Sequence, residues 1–153
     1  MKKLSLFLLT FLFVILLPAC TKTPTPAASD ATQPPSHPTP EYLAEGPERD
    51  AILIDSDVFI QHIVDGIAEN DYASFSEDFD ATMLNSLKVE SFDQVYAIYG
   101  PLGKSSAIEL FNVEVAGDYY AVRYKVKYPS KILIMRVVVD KNDPRKVSGL
   151  WFE

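Results

Sequence analysis

The sequence predicts an α+β domain in which helices come first and a run of hairpin-linked antiparallel strands follows. Three observations carry this. Apolar residues recur at helical spacing from Phe59 to Tyr99, strict alternation sets in after Ala107, and turn-forming residues divide the second half. Those turns are Ala116-Gly117-Asp118, Pro129-Ser130 and Lys141-Asn142-Asp143-Pro144.

The chain opens with Met1-Lys2-Lys3 and a 14-residue apolar run from Leu4 to Leu17, broken only by Ser5 and Thr10. A charged start, a short apolar segment and a small residue before the break define a secretory signal over residues 1–19. A bilayer-spanning helix needs about 20 apolar residues, and Pro18 ends this run sooner. Leu17-Pro18-Ala19-Cys20 resembles the lipobox of bacterial lipoproteins, with Pro18 where Ala or Ser is usual. The resemblance implies that Cys20, the one cysteine in the chain, becomes a lipid-modified N-terminus carrying palmitate-like acyl chains. Two or three chains hold a protein stably on a membrane where one holds it only marginally. The expected location is the cell envelope, on the outer face of the cytoplasmic membrane or on an outer membrane.

Residues 20–49 read as a disordered Pro/Thr-rich tether. Seven of the eleven prolines fall between Thr21 and Arg49, and Tyr42 and Leu43 are its only large apolar side chains. Such a stretch buries too little surface to offset its ordering entropy. His37 belongs to it as a solvated linker residue. The expected folded domain is 50–153, enough for one core.

In the domain, Ser56 or Asp57 is expected to cap a first helix with Phe59, Ile60, Ile63, Val64 and Ile67 as its buried stripe. It should stop near Asn70-Asp71. A broken helical stretch follows, with Tyr72, Phe75, Phe79, Met83, Leu84 and Leu87 as its apolar set. Ser91 is expected to cap a third helix, which ends at Gly100-Pro101. About four strands complete the fold: Ala107–Val115, Tyr119–Tyr128, Ile132–Asp140 and Val147–Phe152. The second alternates cleanly, with Tyr120, Val122, Tyr124, Val126 and Tyr128 on one face and Arg123, Lys125 and Lys127 on the other. The third carries apolar residues on both faces, which predicts a central strand.

Three helices before such a sheet resemble the nuclear transport factor 2-like fold, the cystatin-like or ketosteroid isomerase cone. Within it the chain is similar to a family of unknown function found in prokaryotic lipoproteins and in fusions to α/β-hydrolases. The residues carrying the likeness are Asn70-Asp71-Tyr72-Ala73-Ser74-Phe75, Phe79-Asp80 with Met83, Gly103, and Val122-x-Tyr124-x-Val126-x-Tyr128. Val137-Val138-Val139-Asp140 and Val147-Ser148-Gly149-Leu150-Trp151-Phe152 continue it. Asn70 stands where that family usually has Gly, and Asn tolerates the same left-handed backbone. The resemblance implies a curved antiparallel sheet and a cone pocket, here lined by Tyr96, Tyr124 and Trp151 with Arg136 as a lone charge. Enzymes of this fold use an Asp or His inside the cone, which nominates His62 and Asp80. By helical phase His62 lies off the buried stripe, and Asp80 is placed to cap the turn after it.

Other chemistry is missing from the sequence. Glu77, Asp78 and Asp80 lack the spacing of a calcium loop, as does Asp140-Lys141-Asn142-Asp143. No Gly-rich phosphate loop and no Gly-x-Ser-x-Gly elbow occurs, so neither metal nor cofactor is expected. Charge is uneven: residues 50–100 hold eleven acids and one base, residues 101–153 nine bases and six acids. Export and a net charge that becomes more negative once Lys2 and Lys3 are removed argue against nucleic acid as a partner. Arg123, Lys125 and Lys127 read as a solvated stripe or a docking surface for an acidic partner. Reversing all three is expected to leave the melting curve nearly unchanged. The leading expectation is an envelope domain that binds a small apolar ligand or a protein partner. The alternatives are a small-molecule enzyme of the ketosteroid isomerase or polyketide cyclase type using Asp80, and a structural domain that forms a homodimer through its sheet.

Overall fold

A computed structural model describes residues 39–153. The signal peptide over 1–19, lipidation of Cys20 and the tether as far as residue 38 lie outside the described residues.

Chain order is β1 (Glu41–Tyr42), α1 (Pro47–Glu69), α2 (Tyr72–Ser76), α3 (Ala81–Ser86), α4 (Val89–Tyr99), a 3-10 turn (Gly100–Leu102), then β2 (Ala107–Ala116), β3 (Tyr119–Lys127), β4 (Ile132–Asp140) and β5 (Val147–Phe152). The architecture is α+β, with an open five-stranded antiparallel sheet in the order β1-β2-β3-β4-β5, of which β2 to β5 form a meander.

Helix α1 begins nine residues before the expected cap at Ser56. Pro47 occupies its first turn, where a missing N–H costs nothing, and Glu48 and Asp50 complement the positive end of the helix. The expected domain boundary at Asp50 therefore falls inside a helix, and Ser56 and Asp57 sit mid-helix. The buried stripe extends from Ile52 through Ser56, Phe59, Ile60, Ile63, Val64 and Gly66 to Ile67. Asn70 ends it in the left-handed region (φ 56, ψ 41). Asp71 N then donates to Gly66 O at 2.8 Å and Asn70 N to Ile67 O at 3.4 Å, the paired bonds of a Schellman closure.

Two aspartates start the next helices. Asp71 Oδ1 accepts from Ala73 N at 2.9 Å to open α2, and Asp80 Oδ1 accepts from Met83 N at 2.7 Å to open α3. Lys88, rather than Ser91, precedes α4.

The expected count of about four strands becomes five because β1 adds to the sheet edge. Glu41 and Tyr42 pair with Val115 and Glu114, and Leu43 N donates to Val113 O at 2.8 Å. Two residues are too few to show alternation, so nothing in the composition of the tether announces them. Strands β2 and β3 pair from Ala107↔Lys127 to Ala116↔Tyr119 with a bulge at Phe111, and β3 pairs with β4 without interruption. The core lies between the helices and one sheet face. Val113, Val122, Tyr124, Val126, Leu133, Met135, Val137, Val139 and Val147 are buried there against the α1 stripe, Phe75, Phe79 and Phe92. Aromatic rings fill the helical end, with Phe75 4.7 Å from Phe92 and 5.1 Å from Phe79 between centroids. Burying each such ring contributes roughly 1.5–3 kcal/mol.

Candidate functional site

Tyr124 points inward from the middle of β3 and is 1% exposed. A buried phenol needs a hydrogen-bond partner, and α1 supplies two. Its hydroxyl lies 2.7 Å from Asp57 Oδ1 and 2.9 Å from Ser56 Oγ, while Ser56 Oγ lies 2.9 Å from Ile52 O. Burial pushes the Tyr124 hydroxyl well above the ordinary tyrosine range; a hydrogen bond from Ser56 opposes this, and Asp57 reinforces it. Tyr124 is therefore a fixed hydrogen-bond donor to Asp57.

Beside this contact lies a cleft of about 270 Å³ between α1 and β2, lined by Asp57, Ile60, Gln61, Ile108, Leu110 and Tyr124. Its apolar floor comes from the core edge, and its polar groups come from one face of α1 at positions i and i+4. Strand β1 and the adjoining Leu43 cover β2 only from Val113 to Val115, so the edge from Ala107 to Leu110 beside the cleft carries no strand partner among the described residues.

Two other recesses are less suited to a ligand. One of about 210 Å³ is lined by Asp80, Asp140, Asn142, Asp143, Lys146 and Ser148. Its polar groups serve the turn itself: Asn142 donates from both N and Nδ2 to Asp140 Oδ1, and Asp80 caps α3. The other, about 350 Å³, lies beside Thr39, Pro40 and Glu41 at the β2–β3 turn and has no apolar floor from the core. Among the described residues no three His, Cys, Asp or Glu side chains gather into a group able to hold a metal ion.

The expected pocket lining is not brought together. Tyr124 faces the helices, whereas Arg136 and Trp151, paired across β4 and β5, lie on the opposite sheet face. Trp151 is 46% exposed and carries the Arg136 guanidinium 4.5 Å from its ring centroid. Tyr96 folds over Gly100 on α4 instead. The helical side of the sheet carries the core, including the Phe75, Phe79 and Phe92 rings.

The basic stripe is also not free. Arg123 is paired with Glu114 and lies 3.4 Å from Glu153, which also lies 3.3 Å from Arg136. Lys127 pairs with Glu109, and Lys125 Nζ sits 4.4 Å above the Phe111 ring. Acids thus answer Arg123 and Lys127, and an aromatic ring answers Lys125. Asp80 is half-buried, and His62 Nδ1 lies 2.7 Å from Asp78 Oδ2 with Glu77 at 3.6 Å, a clamp between α1 and the loop before α3.

The residues missed by sequence reasoning are Asp57 as a site group, Gln61, Ile108 and Leu110. The available signal was Tyr124 itself: a phenol among inward valines must find a polar partner, and Ser56-Asp57 is the polar interruption of the α1 stripe. Comparison with protein families, curated proteins and solved structures finds no match to this chain. Among the described residues the fold is an α+β domain with an amphipathic cleft at the helix–sheet edge.

Proposed function

We propose that the protein is a bacterial envelope lipoprotein, held to the membrane through lipid on Cys20, whose nuclear transport factor 2-like domain binds a small ligand in the α1–β2 cleft. The observation that carries the binding reading is the convergence of Asp57, Gln61 and Tyr124 over Ile60, Ile108 and Leu110. A few placed polar groups over an apolar floor are the usual make-up of ligand sites. The cleft lies just under the roughly 300–1,000 Å³ typical of drug-sized ligands, so the ligand is small. Helices ahead of a meander, stacked on one of its faces, support the resemblance drawn from the sequence. The role of Asp80 as a helix cap lends no support to the isomerase alternative.

Two measurements test this reading. Cys20→Ser should abolish palmitate labelling and release the protein from membranes; a variant still labelled and still membrane-bound refutes the anchor. Short six-carbon amphiphiles added to the full chain in detergent should shift the methyl resonances of Ile60, Ile108 and Leu110. Shifts that are absent, or spread over the surface, refute the cleft.

A further inference from the structure

We infer that the α1–β2 cleft selects a small ligand bearing a positively charged hydrogen-bond donor, such as a primary ammonium on a short apolar body. This rests on the reading of the cleft as a ligand site and adds the chemical class it takes.

The argument is a count of hydrogens. Three oxygen contacts link Ile52 O, Ser56 Oγ, Tyr124 Oη and Asp57 Oδ1. Only two hydroxyl hydrogens are present to fill them, because a carbonyl and a carboxylate only accept. The Tyr124 hydrogen goes to Asp57, the sole contact in which its partner has none to offer. The Ser56 hydrogen goes to Ile52 O or to Tyr124 Oη, and either choice keeps it inside this chain of contacts. No hydroxyl hydrogen is left for a ligand.

Gln61 is committed in part. Its Nε2 donates one of its two hydrogens to Asp65 Oδ2 at 2.8 Å, an assignment the acceptor-only carboxylate enforces, which leaves Oε1 and one N–H, both uncharged. The polar lining therefore offers one formal charge, the carboxylate of Asp57 with its second oxygen as acceptor, beside the neutral amide of Gln61. No Lys or Arg lines the cleft, and Asp65 stands one turn further along α1. An anion entering here meets the Asp57 carboxylate and no cationic side chain among the lining residues, so it gives up hydration against a like charge. An ammonium gains a charge-assisted bond at Asp57 and sets its carbons on Ile60, Ile108 and Leu110.

The experiment compares three probes of equal chain length on the full chain in detergent: hexylammonium, hexan-1-ol and hexanoate, each followed by the methyl shifts of Ile60, Ile108 and Leu110. Hexylammonium is expected to bind at least tenfold more tightly than hexanol, with hexanoate weakest and the ammonium affinity falling as salt rises. Asp57→Asn should bring hexylammonium down to the level of hexanol. Gln61→Lys, which leaves the Tyr124–Asp57 contact alone, should also weaken it by placing a resident ammonium at the rim. Equal or tighter binding of hexanol or hexanoate overturns the charge selection while leaving the cleft as a site. Methyl resonances unmoved by all three probes overturn the site and the selection together.

Discussion

The Tyr124 hydroxyl on β3 and the Asp57 carboxylate on α1 meet at 2.7 Å, across 67 positions of sequence. This bond joins the middle of the sheet to the longest helix at the edge of the cleft. Tyr124→Phe should cost about 1.5–3 kcal/mol, the range for hydrogen bonds to charged groups. The loss should sit toward the lower end, because Asp57 is exposed and water replaces the donor. Denaturant midpoints measure it, and an unchanged midpoint refutes the bond.

The same residue makes stability depend on alkaline pH. Burial raises Tyr124 and Tyr128 above the ordinary value of 10.0. A raised folded-state value favours the protonated form in the fold, so this contribution is fully present below pH 10. It is lost as pH rises past that value, at about 1.4 kcal/mol per pH unit for each group involved. Unfolding free energy should therefore fall above pH 10, and Tyr124→Phe should flatten the fall. A variant with the unaltered slope would show that Tyr124 ionises freely in the folded state.

Gly66 fixes how closely α1 and α2 approach. A Cβ there would lie 2.4 Å from Phe75 N and 2.7 Å from Phe75 Cα, both backbone atoms that cannot swing away. Gly66→Ala should destabilise by about 3 kcal/mol, the upper end of the usual range for overpacking, despite the better helix propensity of Ala. A melting point within a degree of the parent would refute this.

Asp80→Ala should cost about 0.5–2 kcal/mol through the lost cap of α3, and Asp80→Asn less, because Asn also caps. The loop around Asp80 is held independently, since Asp80 N donates to Val147 O at 2.9 Å and Val147 N to Asp78 O at 2.8 Å. The fold should therefore survive, and affinity at the distant α1–β2 cleft should not change. A folded Asp80→Asn protein that no longer binds would restore Asp80 as a functional acid.

Strands β2 to β5 were legible because a period of two is visible within one strand and their turns are marked by Gly, Pro and Asn. The start of α1 was not, because Gly46-Pro47 lies within Pro-rich sequence and looks like more tether. That single misplacement turned Ser56 and Asp57 into helix-start residues and hid the partners of Tyr124. The parity of β4 was also readable, with Arg136 on the side of Ile132, Ile134 and Val138. Which side the helices cover was not readable, because both faces are apolar and only tertiary packing chooses between them. Trp151 followed Arg136 to the outer side through the register of β5.

The outer sheet face yields the last test, and here the structure reverses an expectation. Arg123, Lys125 and Lys127 were expected to tolerate charge reversal without loss of stability, as outward residues that hold no core. Arg123, however, has a side chain only 16% exposed and lies between Glu114 and Glu153. A glutamate there would put three carboxylates together, its own with those of Glu114 and Glu153, a loss that the facing Arg136, its register partner on β4, offsets only in part. Partly buried charge pairs lose more when one partner goes than exposed ones do. Arg123→Glu alone should cost about 1.5–3 kcal/mol. Lys127→Glu, beside Glu109 and well exposed, should cost about 0.2–1 kcal/mol. Lys125→Glu should lose a comparable 0.5–1 kcal/mol or so from its contact over Phe111. Denaturation of the three single variants separates them. If Arg123→Glu melts with the parent while the two lysine variants do not, the Glu114–Arg123–Glu153 grouping does not hold the sheet, and the stripe is again a free surface for an acidic partner.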